Sequence, residues 1–265
     1  MLTVISPAKR LDWDPVDGVA QSDVMWPEDA ARLSRTAGRL SRPALQGLMD
    51  ISADLAKLNQ QRFRDFVEAP SADATRPAAW AFAGDTYQGL EMATLDADAQ
   101  RWADDHLRIL SGLYGLLAPR DGIQPYRLEM GSRLQTRRGT NLYGYWRDRI
   151  AKALNVQAEA AGTTTLVNCA SQEYFGAVNL KALKLQVVTP VFMEEKPQGP
   201  KIVSFFAKRA RGAMARHIME TRLTDPSDLP GFTTGGYVWD AERSTPEAPV
   251  FIRPAEAQAA ALTPI

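Results

Sequence analysis

The chain has 265 residues, of which 45% are hydrophobic and 23% charged, and its formal net charge is zero. These values fit an ordinary globular protein with room for a sizeable core, and they exclude a chain that is basic all over, such as a histone-like packer. Cys169 is the only cysteine and His106 and His217 are the only histidines, so an internal disulfide is excluded and neither a metal site nor another cofactor is expected.

In chain order, "LTVIS" reads as a buried strand stopped by Pro7. The opening lacks the basic start and long apolar core of a secretory signal, and no run approaches the roughly 20 apolar residues of a membrane span. A cytoplasmic location and no membrane partner are therefore expected. Pro27 and the acidic residues after it start a helix over "PEDAARLSRTAGRL". Helices follow over "RPALQGLMD" and "SADLAKLNQQRFRDFVEA", the second capped by Ser52. Residues 69–78 make a surface loop. "AWAFAGDTYQGL" reads as a buried strand ending at Gly84, with Asp85 and Thr86 placed to cap what comes next.

"DADAQRWADDHLRIL" is an amphipathic helix, whereas "SGLYGLLAPRDGIQPYRLEMG" holds too much glycine and proline to be one. Asn141 and Gly162 bracket a single long helix. Strands are expected at "TTLVNCAS", "LQVVTPVFMEE", "KIVSFF", "GYVWDAE" and "PVFIRP", with a short helix at "QEYFGAV" and a basic helix after "KIVSFF". Residues 1–253 are expected to form one α+β or irregular mixed α/β domain, a central mixed sheet flanked by helices. Residues 254–265 read as a frayed tail.

Charge is unevenly spread along the chain. Residues 201–222 hold six lysines and arginines against Glu220 alone, and residues 127–149 hold six arginines against Glu129 and Asp148. At about 100° per residue, Lys208, Arg209, Arg211, Arg216 and Arg222 share an arc of roughly 160°, with Ala210, Met214, His217 and Ile218 facing inward. Gly212 and Ala215 lie between the cations, which would let a phosphate backbone approach while the guanidiniums reach its oxygens. The alternative is a solvated face, although such a face more often mixes glutamates among its cations.

Gly112 and Gly115 fit a tight hairpin whose N–H groups face outward at the next helix start, or else a plain structural loop. The hairpin resembles the helix-hairpin-helix element of DNA-binding proteins, except that its glycines are three apart where that motif places them two apart. Three strand exits carry polar groups: Ser6 and Lys9, Asp85 and Tyr87, and Asn168, Ser171, Glu173 and Tyr174. Ligand sites favour such exits, and in an enzyme Lys9, Asp85 and Glu173 would do acid/base work. Alternatively, Asp85 and Ser171 cap helices and Glu173 pairs with an arginine. Arg127 and Glu129 share one face of an extended segment and are placed to pair with each other.

The blocks "ISPAKRLD", "AGDTYQGL", "LRILSGLYGLLAPRDGIQPYRLEMG", "LVNCASQEYF", "PVFMEEK" and "SFFAKRARGAMARHI" resemble the YaaA family of bacterial peroxide-stress-resistance proteins. The resemblance implies a cytoplasmic protein that limits hydrogen peroxide damage, linked to lower free iron. It also implies DNA binding through a helix-hairpin-helix element and a basic cleft, on a single-domain α/β fold. On the first reading, Lys208, Arg209, Arg211 and Arg216 contact DNA phosphates, Arg127, Arg133, Arg137 and Arg138 extend that surface, and Gly112 and Gly115 form the hairpin. On the second, the chain is an enzyme acting on a nucleic acid or nucleotide. Iron sequestration is poorly supported by so few ligands.

Overall fold

The computed structural model describes residues 1–260. Its first strand, β1 (Leu2–Ile5), is buried at every position; four apolar or β-branched residues suit a strand covered on both faces. The two-residue β2 (Arg10–Leu11) follows, then three helices. α1 (Pro27–Gly38) opens with proline, Glu28 and Asp29, where a missing N–H costs nothing and negative charge meets the positive end of the helix. α2 (Arg42–Met49) and α3 (Ala53–Asp65) are capped by Ser41 and Ser52, whose hydroxyls accept the amides of Ala44 and Leu55, each at 3.3 Å.

The strand expected over "AWAFAG" is mostly a helical turn. β3 (Arg76–Pro77) leads into α4 (Ala78–Ala81), and only β4 (Phe82–Ala83) remains extended before α5 (Asp85–Leu90). Three alanines in four residues favour the turn. Gly84 occupies the cap of α5 without a side-chain bond, so Asp85 stands in its first turn rather than capping it. α6 (Ala97–His106) is capped by Asp96, which accepts the Ala99 amide at 2.7 Å. It ends earlier than expected because Leu107 to Leu110 enter the sheet as part of β5 (Leu107–Ser111). β6 (Gly115–Leu117) folds back on β5, and β7 (Gly122–Ile123) pairs with β3.

The single helix expected over 141–162 is two helices, α7 (Leu142–Trp146) and α8 (Arg149–Ala160). They part at Arg147, whose φ of 45° and ψ of −122° belong to no helix. The break seats the fully buried Trp146, whose Nε1 donates to the Gly112 carbonyl at 3.0 Å. β8 (Thr165–Cys169) and α9 (Gln172–Phe175) follow as expected. "LQVVTPVFMEE" divides into β9 (Gln186–Val188) and β10 (Val191–Glu194), which belong to different sheets. "KIVSFF" is not a strand: Lys201 makes one bridge to Glu194, and α10 (Ser204–Thr221) has already begun at Ser204. β11 (Val238–Thr245) and β12 (Ala248–Arg253) precede α11 (Ala255–Ala260). The start of the tail is thus helical rather than frayed; Gln258 donates to the carbonyls of Glu195 and Arg253 at 3.0 and 2.9 Å. The rest of that expectation lies outside the described residues.

The main sheet has the order β6-β5-β1-β8-β9 and is parallel except for β6. A second sheet, β10-β12-β11, packs the stacked rings of Phe192 and Phe251 against Phe232. Mixed sheets flanked by helices make a single α+β domain, the fold class the sequence predicts. One consequence matters for function: the C-terminal ends of β1, β5 and β8 lie side by side on one edge, where sheets of this kind build ligand sites.

Candidate functional site

The loops leaving that edge meet. Ser6, directly after β1, accepts the Ser171 amide on its Oγ at 2.9 Å, and the two hydroxyls stand 3.3 Å apart. The Ser6 carbonyl accepts the Tyr87 phenol at 3.2 Å. The three strand exits singled out from the sequence therefore converge, joined through Ser6, Tyr87 and Ser171. The Asp85 carboxylate, in the first turn of α5, makes no hydrogen bond or ion pair with another described residue.

The buried carboxylate of this edge is Glu129, on the segment after β7. Its Oε1 takes Arg127 Nε at 3.0 Å, the pairing expected from alternation, and Lys9 Nζ at 3.4 Å. Its Oε2 is buried with no hydrogen-bond partner among the described residues. An unsatisfied buried acceptor costs roughly 1–3 kcal/mol, so this oxygen is one that a ligand's N–H or O–H would stabilise. Burial foremost, and then Tyr126, pushes the Tyr87 and Tyr174 phenols well above their usual range, while burial and the charge of Glu129 raise Tyr126 itself. They remain protonated donors, and Tyr126 lies 2.6 Å from the Ser111 hydroxyl at the end of β5. A carboxylate acceptor beside a lysine and several hydroxyls is a set able to hold a polar ligand and move a proton.

Glu173 plays a different part from the one expected. It is exposed, and its carboxylate accepts the Gly131 amide at 2.9 Å rather than an arginine. It thereby anchors the segment that carries Glu129.

α10 corrects the expected basic face in its middle. Ala210, Met214 and Ile218 are buried as the wheel predicts, but Gly212 and Ala215 are buried too. A Cβ on Gly212 would stand 1.8 Å from the Thr86 carbonyl oxygen, and one on Gly89 would stand 2.0 Å from that of Arg209. The small residues admit the backbone of α5, not a phosphate. Arg216 is committed as well: it donates to the Leu90 and Glu91 carbonyls at 3.1 and 3.0 Å and pairs with Glu220 at 2.6 Å. Lys208 and Arg209 are exposed, Arg211 is half-buried, and none of the three has a carboxylate partner among the described residues.

Gly112 and Gly115 do form a hairpin, but it joins β5 to β6 and is buried. A Cβ on Gly112 would lie 2.3 Å from the Leu128 carbonyl oxygen, and one on Gly115 would strike the rings of Trp26 and Trp146. It joins two paired strands, so it is a β-hairpin rather than a helix-hairpin-helix element.

Residues 1–243 match the family described as Peroxide stress protein YaaA. The chain belongs to that family. Among its relatives, a UPF0246 protein of Roseobacter denitrificans is 65% identical over 257 residues, covering 96% of this chain and 98% of the relative. UPF0246 proteins of Ruegeria pomeroyi and of a Jannaschia strain are 63% and 62% identical, covering 96% and 98% of this chain and 99% and 100% of theirs.

A YaaA-family member's lone cysteine invites the thought of a peroxide-consuming thiol, and the geometry opposes it. Cys169 is buried at the end of β8, and burial, only partly offset by Arg211, pushes its thiol up to about 12. Peroxide attacks the thiolate, which is scarce under such conditions. Among the described residues no group of three His, Cys, Asp or Glu side chains is placed to hold a metal ion. Nor, among the described residues, is any helix long and apolar enough to cross a membrane.

The remaining arginines of this YaaA-family chain divide. Arg133 and Arg137 are exposed, whereas Arg138 pairs with Asp29. Asp29, read from the sequence only as a first-turn acid, is 6% exposed and is the hub of a second polar cluster. It accepts Arg138 Nη1 at 2.5 Å, the Tyr145 hydroxyl at 2.6 Å and Arg149 Nη2 at 2.7 Å, with Arg32 at 3.3 Å. Its three closest partners lie more than 100 residues away in sequence, so no local signal marks it.

Proposed function

We propose that this chain contributes to peroxide-stress resistance in the cytoplasm by binding DNA, largely without sequence preference, through Lys208, Arg209 and Arg211. The family assignment supports the stress role. The observation that carries the DNA reading is that these three cations have no carboxylate partner among the described residues, while Arg216 and Arg222 on the same segment do. The close seating of α10 on α5 fixes the helix that presents them. Phosphate contacts carry no base information, so binding weakens steeply with salt. Affinity for duplex and single-stranded DNA across salt concentrations tests this. The wild type is expected to show a log–log slope of several phosphates, and Lys208→Ala/Arg209→Ala/Arg211→Ala a smaller one. Binding indifferent to salt, or to the triple substitution, removes the reading.

The second reading is an enzyme acting on a nucleic acid or nucleotide at the strand-end cluster. The unpartnered Oε2 of Glu129 beside Lys9 favours it. Glu129→Gln that keeps fold and DNA affinity but loses peroxide protection in cells would select it over the first.

A further inference from the structure

A second basic site lies between the 137–138 turn and the start of α8. Arg137, Arg138, Arg147, Arg149 and Lys152 line an open cavity of about 590 Å³, with Asp148 in its wall and no residue of α10 among those lining it. That volume is in the range of small-molecule sites. Against the five cations stand Asp148 in the wall and Asp29 behind Arg138 and Arg149, which leaves an excess of three positive charges.

Three of the five cations are held in set orientations, while the exposed Lys152 pairs loosely with Asp148 at 3.8 Å. Asp29 takes one nitrogen from Arg138 and one from Arg149. The Arg149 guanidinium also lies over the Trp26 and Trp146 rings, 4.7 and 5.4 Å from their centres, with its Nη1 buried and without a hydrogen-bond partner among the described residues. Arg147 donates to the carbonyls of Gly144 and Arg138 at 3.0 and 3.2 Å. Its backbone sits at φ 45°, which side chains rarely adopt and which persists only where the surroundings enforce it. Arg149 is also the first residue of α8, and no side chain caps that helix, so its first amides add partial positive charge at the same place.

We propose that this cavity binds a phosphomonoester. The dianion matches the charge excess better than a singly charged phosphodiester does, and oriented guanidiniums suit several oxygens of one tetrahedral group. The phosphate belongs either to the 5′ end of a nucleic-acid strand or to a free nucleotide. The site is independent of the reading of α10.

The test titrates the full chain by calorimetry and thermal melting with inorganic phosphate, a nucleoside 5′-monophosphate, and a short oligonucleotide bearing a 5′-phosphate or a 5′-hydroxyl. Phosphate or the monophosphate is expected to bind and raise the melting temperature. Arg137→Ala/Lys152→Ala, at two exposed positions, is expected to weaken that binding about tenfold or more, as the loss of charge-assisted bonds predicts, without lowering the unliganded melting temperature. A tighter grip on the 5′-phosphorylated oligonucleotide than on its hydroxyl twin identifies a strand end; a response to the mononucleotide alone identifies a small ligand. No binding of any phosphorylated probe, or equal binding by the double variant, overturns the proposal. Inorganic phosphate needs no contact with α10, so the α10 triple variant keeps this binding even where duplex binding fails, and the two readings fall separately.

Discussion

Asp29 and Glu129 are both buried acids facing basic side chains, and they differ in what their second oxygen does. Both Asp29 oxygens are taken, by three arginines and a tyrosine. Glu129 holds Arg127 and Lys9 on one oxygen and leaves the other without a partner. A saturated carboxylate anchors: it fixes where Arg138 and Arg149 point, and those arginines line a cavity. A carboxylate with an oxygen in reserve keeps an acceptor available at a cost in stability. Burial and cationic neighbours alone do not separate these two acids; the bonds on each oxygen do.

That contrast can be broken most directly at Asp29. Asp29→Ala strands two guanidiniums and a phenol and is expected to cost roughly 3 kcal/mol, the lower end for a broken buried pair because Arg138 and Arg149 keep access to water. Denaturant unfolding measures it. Glu129→Gln is expected to cost about 1 kcal/mol, since it retains an acceptor and disturbs one committed oxygen. Equal losses at the two positions would erase the distinction.

Acid unfolding sharpens the same point. Burial alone would raise the Asp29 carboxyl, but hydrogen bonds from Arg149 and Tyr145 and the charges of Arg149 and Arg138 outweigh it and hold the group below its usual range. Its stabilisation is therefore complete above the unfolded value near pH 4 and is lost as pH falls through the lowered folded value. Asp29→Asn should flatten the stability–pH curve in that acid window, and an unchanged curve would contradict the assignment. The smallest effect is expected at Glu173→Ala. Glu173 is exposed and holds only the Gly131 amide through its carboxylate, so its loss should stay within about 0.5 kcal/mol in the same denaturant assay.

The parts of the fold written in local chemistry were legible in the sequence. Ser52 caps α3, Gly162 ends α8 at a positive φ, and the apolar run at residues 2–5 is a strand. Arg147 was not legible, since neither glycine nor proline marks the break that seats Trp146. The convergence of Ser6 and Ser171 was legible only as a possibility, because it depends on β8 lying beside β1. Glu129 was legible in part: alternation announces its pairing with Arg127, but not the contact with Lys9 that the loop after β1 brings. Gly212 was misleading. A small residue announces that something comes close, without saying whether it is a ligand or another helix.

The place of β1 also has a consequence for how the protein is made. Ile5 pairs with Cys169, 164 residues later in the chain. At about 5–20 residues per second of synthesis, the central strand waits on the order of ten to thirty seconds for its second neighbour. For that interval an apolar segment with an open edge must be kept from pairing with other chains, the hazard that exposed strand edges carry. Pairing β1 with β8 is thus an event of late translation, and the ribosome's pace sets how long that edge stays open.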